Sequence, residues 1–224
     1  LPGYEATSER PGVAQIRVWT VYDKVDYQPA TPPRVVTIPH KDDMNAMIAD
    51  IKKLKAQVDV VVLCMHWGLH LVPRVIPDYC IDIGHTAIDI GADLILGTHA
   101  HILKGVEMYK GKAIFYSTGE FALELGAHMR DHAHIKEMDE VHGTAYLDKR
   151  KYSMIVRAVI EDGKIKRVSY LPCYVNEHFE PEIKTRNEHL GQDIYSYVMD
   201  ISQSEHLNSQ FAWDGDEVVI SPQK

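Results

Sequence analysis

Imidazoles are the side chains in this sequence best placed to do chemistry. The chain has 13 histidines among 224 residues. His66 directly follows the apolar run VDVVVLCM (58–65), and His99 and His101 follow ADLILG (92–97). In open α/β sheets ligands bind beyond the carboxyl ends of the strands, so neighbouring parallel strands would bring these loops to one rim. Imidazole is a common ligand for zinc, iron, nickel and manganese-type centres. In an extended His-x-His segment both rings project to one side and could reach adjacent ions. Gly68 and Gly97 allow close backbone approach around the trio. A lone histidine at a strand end is more often a hydrogen-bonded surface or core residue; the three together make the case for a metal site.

Other candidates carry less. His128, His132 and His134 have a metal-pair spacing only if residues 122–150 are helical, and a solvated loop is the simpler reading. Trp67 could wall a substrate or pack in the core. Arg74 could meet an anionic substrate or be an ordinary surface arginine. Cys64, Cys80 and Cys173 are odd in number and widely spaced, which indicates buried free thiols rather than a disulfide framework or zinc knuckle.

The elements that must position the rim are legible in outline. VAQIRVWTVY (12–21) reads as a strand, and the Pro-rich connection after it is too broken for regular structure. Met44, Met47, Ile48, Ile51 and Leu54 make one helical face, with Asp42 or Asp43 as N-cap and an end near residue 57. The run at 58–65 resembles a parallel strand covered on both faces. A helix between Pro77 and Gly91 then leads to a strand at 92–97, a βαβ unit with a parallel sheet. Hairpins are expected at 105–117, around Lys110–Gly111, and at 151–171, around Asp162–Gly163. A final helix spans 189–203. Lys149, Arg150 and Lys151 form a basic cluster that reads as a solvated loop.

Bulk properties exclude some partners. A net charge of -8 argues against nucleic acid, which is bound through clustered Lys and Arg. No run approaches the roughly 18 apolar residues of a membrane span, and no signal peptide opens the sequence.

The stretches MHWGLHLVP and AIDIGADLILGTHAHILKGVEMYKGKAIFYSTGEF resemble the C-terminal signature of CapA-like proteins. This is the bacterial capsule and poly-γ-glutamate synthesis family of the calcineurin-like metallophosphoesterase superfamily. The match runs from about residue 58 to 121. The resemblance implies an α/β fold of stacked β-sheets flanked by helices, an αββα sandwich. Residues 1–175 would belong to that domain, and 176–224 would form a C-terminal extension with one helix packed on it. It further implies a binuclear rim site with His66, His99 and His101 as metal ligands for one or two divalent ions (Mn, Fe or Zn). The implied activity is metal-assisted hydrolysis of a phosphoester, or of an amide or ester link in a capsule polymer. A non-catalytic, metal-binding part of a polymer synthesis or export assembly is the alternative.

Two departures stand out: Glu120 replaces the family's Asn, and His70 replaces a frequent acidic residue. Either could alter substrate choice, with His70 a candidate catalytic group and Trp67, Arg74 and Glu120 candidate substrate contacts. The superfamily's upstream D-x-H and Asn-His ligands are absent, which with the opening at Leu1 implies a fragment lacking its N-terminal part. Three histidines could hold one ion with open positions but not two well. Such a chain would be weakly active or inactive alone, covered by a second copy or by the upstream segment. Its location, cytoplasmic or on an extracytoplasmic surface, would follow any upstream anchor.

Overall fold

A computed structural model of the chain describes residues 3–122 and 148–223. They fall into two compact units, one of residues up to Val61 together with Pro77–Ala92, the other of Val62–Ile76 with the residues from Asp93 onward. The architecture is mixed α/β, with several sheets and three α-helices among the described residues.

In the first unit, strands β1 (Val18–Asp23) and β2 (Arg34–Pro39) form an antiparallel ribbon. The second strand lies inside the connection expected to be irregular. Pro32 and Pro33 precede it and Pro39 ends it, so no proline removes a donor from its middle. Helix α1 (Lys41–Lys55) carries Asp42 and Asp43 in its first turn and Lys52, Lys53 and Lys55 in its last, matching the helix dipole. Neither aspartate is the N-cap; His40 occupies that position. Asp43 instead accepts from the backbone N–H of Arg17 and from its guanidinium, each at 2.8 Å, which ties the approach to β1 onto α1. Helix α2 (Asp78–Asp89) starts after Pro77. Gly91 follows it at φ +128, a conformation that side chains rarely adopt. Thr37 of β2 donates its N–H to Asp78 (3.1 Å) and accepts from the Tyr79 N–H (3.1 Å), fixing the start of α2.

The second unit holds two sheets. Strands β3 (Val62–His66), β4 (Leu94–Thr98), β5 (Val106–Tyr109) and β6 (Lys112–Phe115) form the first, in the order β3-β4-β6-β5. β3 and β4 are parallel, His66 facing Thr98, as the βαβ pattern predicts. The expected double-sided cover of β3 is not observed. Among the described residues this strand pairs only with β4, begins at Val62, and alternates so that Val62, Cys64 and His66 are exposed. Cys64 is therefore an exposed thiol, whereas Cys80 and Cys173 are buried as expected.

The second sheet is antiparallel. β7 (Tyr152–Glu161) and β8 (Lys164–Val175) form its long hairpin, and β9 (Pro181–Ile183) pairs with β8. Strands β10 (Gln210–Asp214) and β11 (Glu217–Ser221) complete the order β10-β11-β8-β7. Lys110 and Gly111, and Asp162 and Gly163, all have positive φ, the conformation of two-residue hairpin turns. Helix α3 (His189–Ser204) packs Ile194, Val198 and Ile201 into a core shared by both sheets, with Phe115 and Val106 from one and Tyr170 and Val218 from the other. Ser202 locks α3 to β5 by accepting from the Val106 N–H (3.0 Å) while donating to the Val198 carbonyl (2.7 Å). No helix among the described residues is long and apolar enough to cross a membrane.

Candidate functional site

Where β3 and β4 end, their loops remain zipped together. The Trp67 N–H donates to the Thr98 carbonyl (3.3 Å) and the Leu71 N–H to the Ala100 carbonyl (2.9 Å). Leu71, Ala100 and Ile102 are buried together beneath the loops. That burial turns the intervening polar residues outward: Ala100 and Ile102 are inside, while His99 and His101 on either side of Ala100 stay partly exposed. The segment is not the extended stretch expected for His-x-His. His99 (φ +88) and His101 (φ +57) both have left-handed backbone, which costs a non-glycine residue on the order of 1–2 kcal/mol. Such strain persists only where surrounding contacts over-determine it, and it clusters at functional sites.

The result is a group of four imidazoles. His66 Nε2 lies 3.0 Å from His99 Nδ1. The His70 ring meets the His101 ring edge-on at 4.8 Å between centroids and lies 6.1 Å from His99, and the His99 and His101 centroids are 6.4 Å apart. Thus the three expected ligands converge, and His70 joins them.

The network fixes which nitrogens are engaged. Thr98 Oγ1 donates to the Met65 carbonyl (3.1 Å) and faces His66 Nδ1 at 3.4 Å. His101 Nδ1 is hydrogen-bonded to Glu120, and Arg150 reaches the same carboxylate oxygen at 3.5 Å. Among the described residues, Nε of Arg150 is buried without an acceptor. Burial, then the positive fields of His66 and His101, pulls His99 below the usual imidazole range. For His70, an exposed residue, partial desolvation acts first, then His101, His99 and Arg150, with Glu120 opposing. Both shifts favour the neutral ring, the form that binds metal.

One pair of these donors has the spacing that a shared divalent ion would require. Two imidazole nitrogens sharing an ion at about 2.0–2.1 Å each stand about 3 Å or slightly more apart, close to the His66–His99 separation. That pair is equally a hydrogen bond as it stands, and among the described residues no three His, Cys, Asp or Glu side chains form a ready coordination group.

The other candidates lie differently. Trp67 is 4 % exposed, stacks on Tyr116 and donates Nε1 to the Tyr116 carbonyl (3.0 Å), so it packs in the core rather than walling a substrate. Arg74 pairs with Asp200 of α3 and lines a cavity of about 590 Å³ with Lys149, Asp193 and Tyr197. Glu120 is held within the cluster by His101 and Arg150 rather than open to a substrate. Gly97 does serve close approach, since an added Cβ would meet the Tyr116 carbonyl oxygen at 2.3 Å. Gly68 does not: an added Cβ there would meet nothing within 4 Å among the described residues, and it is the positive φ of +89 that favours glycine.

Arg150 is the site residue that the basic cluster concealed. It is 17 % exposed on its side chain, and its neighbours are engaged too: Lys149 lies 4.5 Å over the Tyr152 ring and Lys151 5.7 Å over Tyr174. The run of three cations directly before Tyr152 was the available signal. His128, His132 and His134 lie outside the described residues.

Residues 3–124 match the family model described as bacterial capsule synthesis protein PGA_cap. The chain belongs to this capsule synthesis family. Within it, the chain is 34% identical over 105 residues to the PGA biosynthesis protein CapA of Bacillus subtilis (strain 168), covering 46% of this chain and 27% of that protein. The capsule biosynthesis protein CapA of Bacillus anthracis is 33% identical over 116 residues, 51% of this chain and 26% of that protein. A probable polyglutamine synthesis accessory protein of Mycobacterium tuberculosis is 27% identical over 117 residues. The matched region thus spans about a quarter of the length of these relatives. The family-model match at residues 3–124 includes His66, His70, His99, His101 and Glu120, but not Arg150.

Proposed function

We propose that this chain supplies the histidine-lined rim of a metal-dependent hydrolase acting on a phosphoester, amide or ester bond in capsule or poly-γ-glutamate metabolism. The observation that carries the reading is the convergence of His66, His99 and His101 at the ends of two parallel strands, with His66 and His99 nitrogens 3.0 Å apart. The printed names of the relatives, capsule and PGA biosynthesis proteins, supply the polymer context.

His66, His99 and His101 would hold a divalent ion of the manganese, iron or zinc kind. Bound there, an ion supplies Lewis-acid polarisation of the attacked group and makes water a nucleophile near neutral pH. The chain's own residues do the rest. His70, kept towards its neutral form, can take up a proton beside His101. The Arg150 guanidinium, beside Glu120, adds positive charge near the rim that favours an anionic group such as a phosphate or a γ-glutamyl carboxylate.

A second reading, a metal-binding component without turnover, draws on the printed names of the relatives, which are biosynthesis and accessory proteins and name no hydrolysis. Hydrolysis of a phosphodiester, a γ-glutamyl amide and an ester, each with and without added Mn²⁺ or Zn²⁺, separates the two. Metal-dependent turnover lost in His99→Ala supports the hydrolase. Metal binding without turnover on any of the three supports the second reading, and turnover unchanged in His99→Ala refutes the assignment of the site.

A further inference from the structure

We propose that Glu120, held by Arg150, is a positioning residue that fixes the tautomer of His101 and so decides which of its nitrogens keeps a free lone pair. The proposal rests on the metal-rim reading above for its purpose, but its geometry is independent of any ion. A carboxylate only accepts hydrogen bonds, so its contact with His101 Nδ1 places the ring proton on that nitrogen. Nε2, across the ring, is then the atom with a free lone pair. Metal-bound imidazoles regularly donate their other N–H to a carboxylate in this way, and loss of that partner typically costs 10–100-fold in affinity.

Three further observations make the contact a built one. Glu120 and Arg150 side chains are each 17 % exposed, and the guanidinium lies 3.5 Å from the same oxygen that meets His101. The segment carrying Glu120 is pinned from both sides: Thr118 donates its N–H to the Gly97 carbonyl at the end of β4 (3.0 Å) and accepts from the Met154 N–H of β7 (3.3 Å), while Gly119 bridges Ser153. Gly119 could not be replaced there, because its φ is +79 and an added Cβ would meet the Tyr152 carbonyl oxygen at 2.7 Å. On the opposite side, His101 is held at φ +57 between buried Ala100 and Ile102. Left-handed backbone at His101 and at Gly119, the residue before Glu120, thus brings ring and carboxylate together.

The test is ¹⁵N-histidine NMR of the metal-free chain at pH 8, above the ordinary imidazole pKa of about 6.5. The His101 signals are assigned by their loss in His101→Gln, and zinc titration by calorimetry follows. The expected result is an Nδ1–H tautomer for His101 in the wild type. It should be retained in Glu120→Gln, whose amide oxygen can still accept, and displaced towards Nε2–H in Glu120→Ala. Zinc affinity should fall about 10–100-fold in Glu120→Ala and less in Glu120→Gln. An Nε2–H tautomer in the wild type, or the same tautomer in Glu120→Ala, overturns the role of Glu120. The wild-type tautomer needs no variant to fold. Failure of the wild type to bind zinc would overturn the metal reading instead, and the tautomer result would still decide the positioning role.

Discussion

Gly97 gives the sharpest energetic test of how the rim is built. It sits in β4 two residues before His99, and its φ is outside the left-handed region, so alanine could adopt the backbone without strain. Were there space, Gly97→Ala would stabilise the fold by about 0.4–1 kcal/mol through the unfolded chain. Space is what the structure denies. An added Cβ would meet the Tyr116 carbonyl oxygen at 2.3 Å and Trp67 Nε1 at 2.5 Å, where real Cβ contacts do not fall below 3.0 Å. Relief requires the β6 end and the Trp67 ring to retreat by roughly 0.5–0.7 Å, which is the overpacking case costing about 1–3 kcal/mol. The same two atoms form the buried Trp67–Tyr116 hydrogen bond, and stranding its partners costs about 1–3 kcal/mol more. Net of the unfolded-state gain, Gly97→Ala should destabilise by roughly 1–5 kcal/mol. Thermal melting followed by circular dichroism and by tryptophan fluorescence measures it, with a drop of about 2–4 °C per kcal/mol for a chain of this size. An unchanged or raised Tm would show that Trp67 and Tyr116 are not packed against β4 in this way.

Two further outcomes follow from burial and charge. In native protein at pH 8, a thiol reagent should modify Cys64 rapidly, because β3 exposes it, and leave Cys80 and Cys173 protected until denaturation. Burial pushes the Cys173 thiol up to about 11, so its reaction should accelerate only as the pH approaches that value; three fast thiols at pH 8 would refute the placement of both. The Arg17 guanidinium and N–H hold Asp43 well below the usual carboxylate range. The unfolded state therefore binds the extra proton first, so this contribution is complete above the unfolded pKa of about 3.9 and is lost as the pH falls through the lower folded value. Asp43→Asn should lower Tm at pH 7 and flatten its decline below about pH 4; an unchanged Tm–pH profile would mean the pair contributes nothing.

Much of this was legible where periodicity and turn chemistry agree. The Met44 to Leu54 face, Pro77 and Gly91 around α2, and the Asp162–Gly163 turn each point to the element observed. The β10–β11 hairpin was not read, although its two-residue turn, Gly215–Asp216, is itself a hairpin signal, because its two strands are only five residues each. β2 was hidden by the prolines that flank it rather than interrupt it. The cover of β3 could not be read, since an apolar run does not reveal whether its strand lies at a sheet edge. At the rim, strand ends followed by histidines placed His66, His99 and His101, whereas His70 was a candidate only through its departure from the family pattern. What the sequence could not supply was the left-handed backbone at His99 and His101, or the pairing of Glu120 with Arg150 across 29 intervening positions. Both depend on contacts made only once the sheets are assembled.

The central claim is that His66, His99 and His101 share an ion, and calorimetric titration of Mn²⁺ and Zn²⁺ into the chain tests it most directly. Wild-type protein should bind one of these ions with defined stoichiometry, and His66→Ala, His99→Ala and His101→Ala should each weaken that binding at least about tenfold, with Arg74→Ala, which lies against Asp200, as the unaffected control. Equal affinity in the wild type and all three histidine variants would contradict the account.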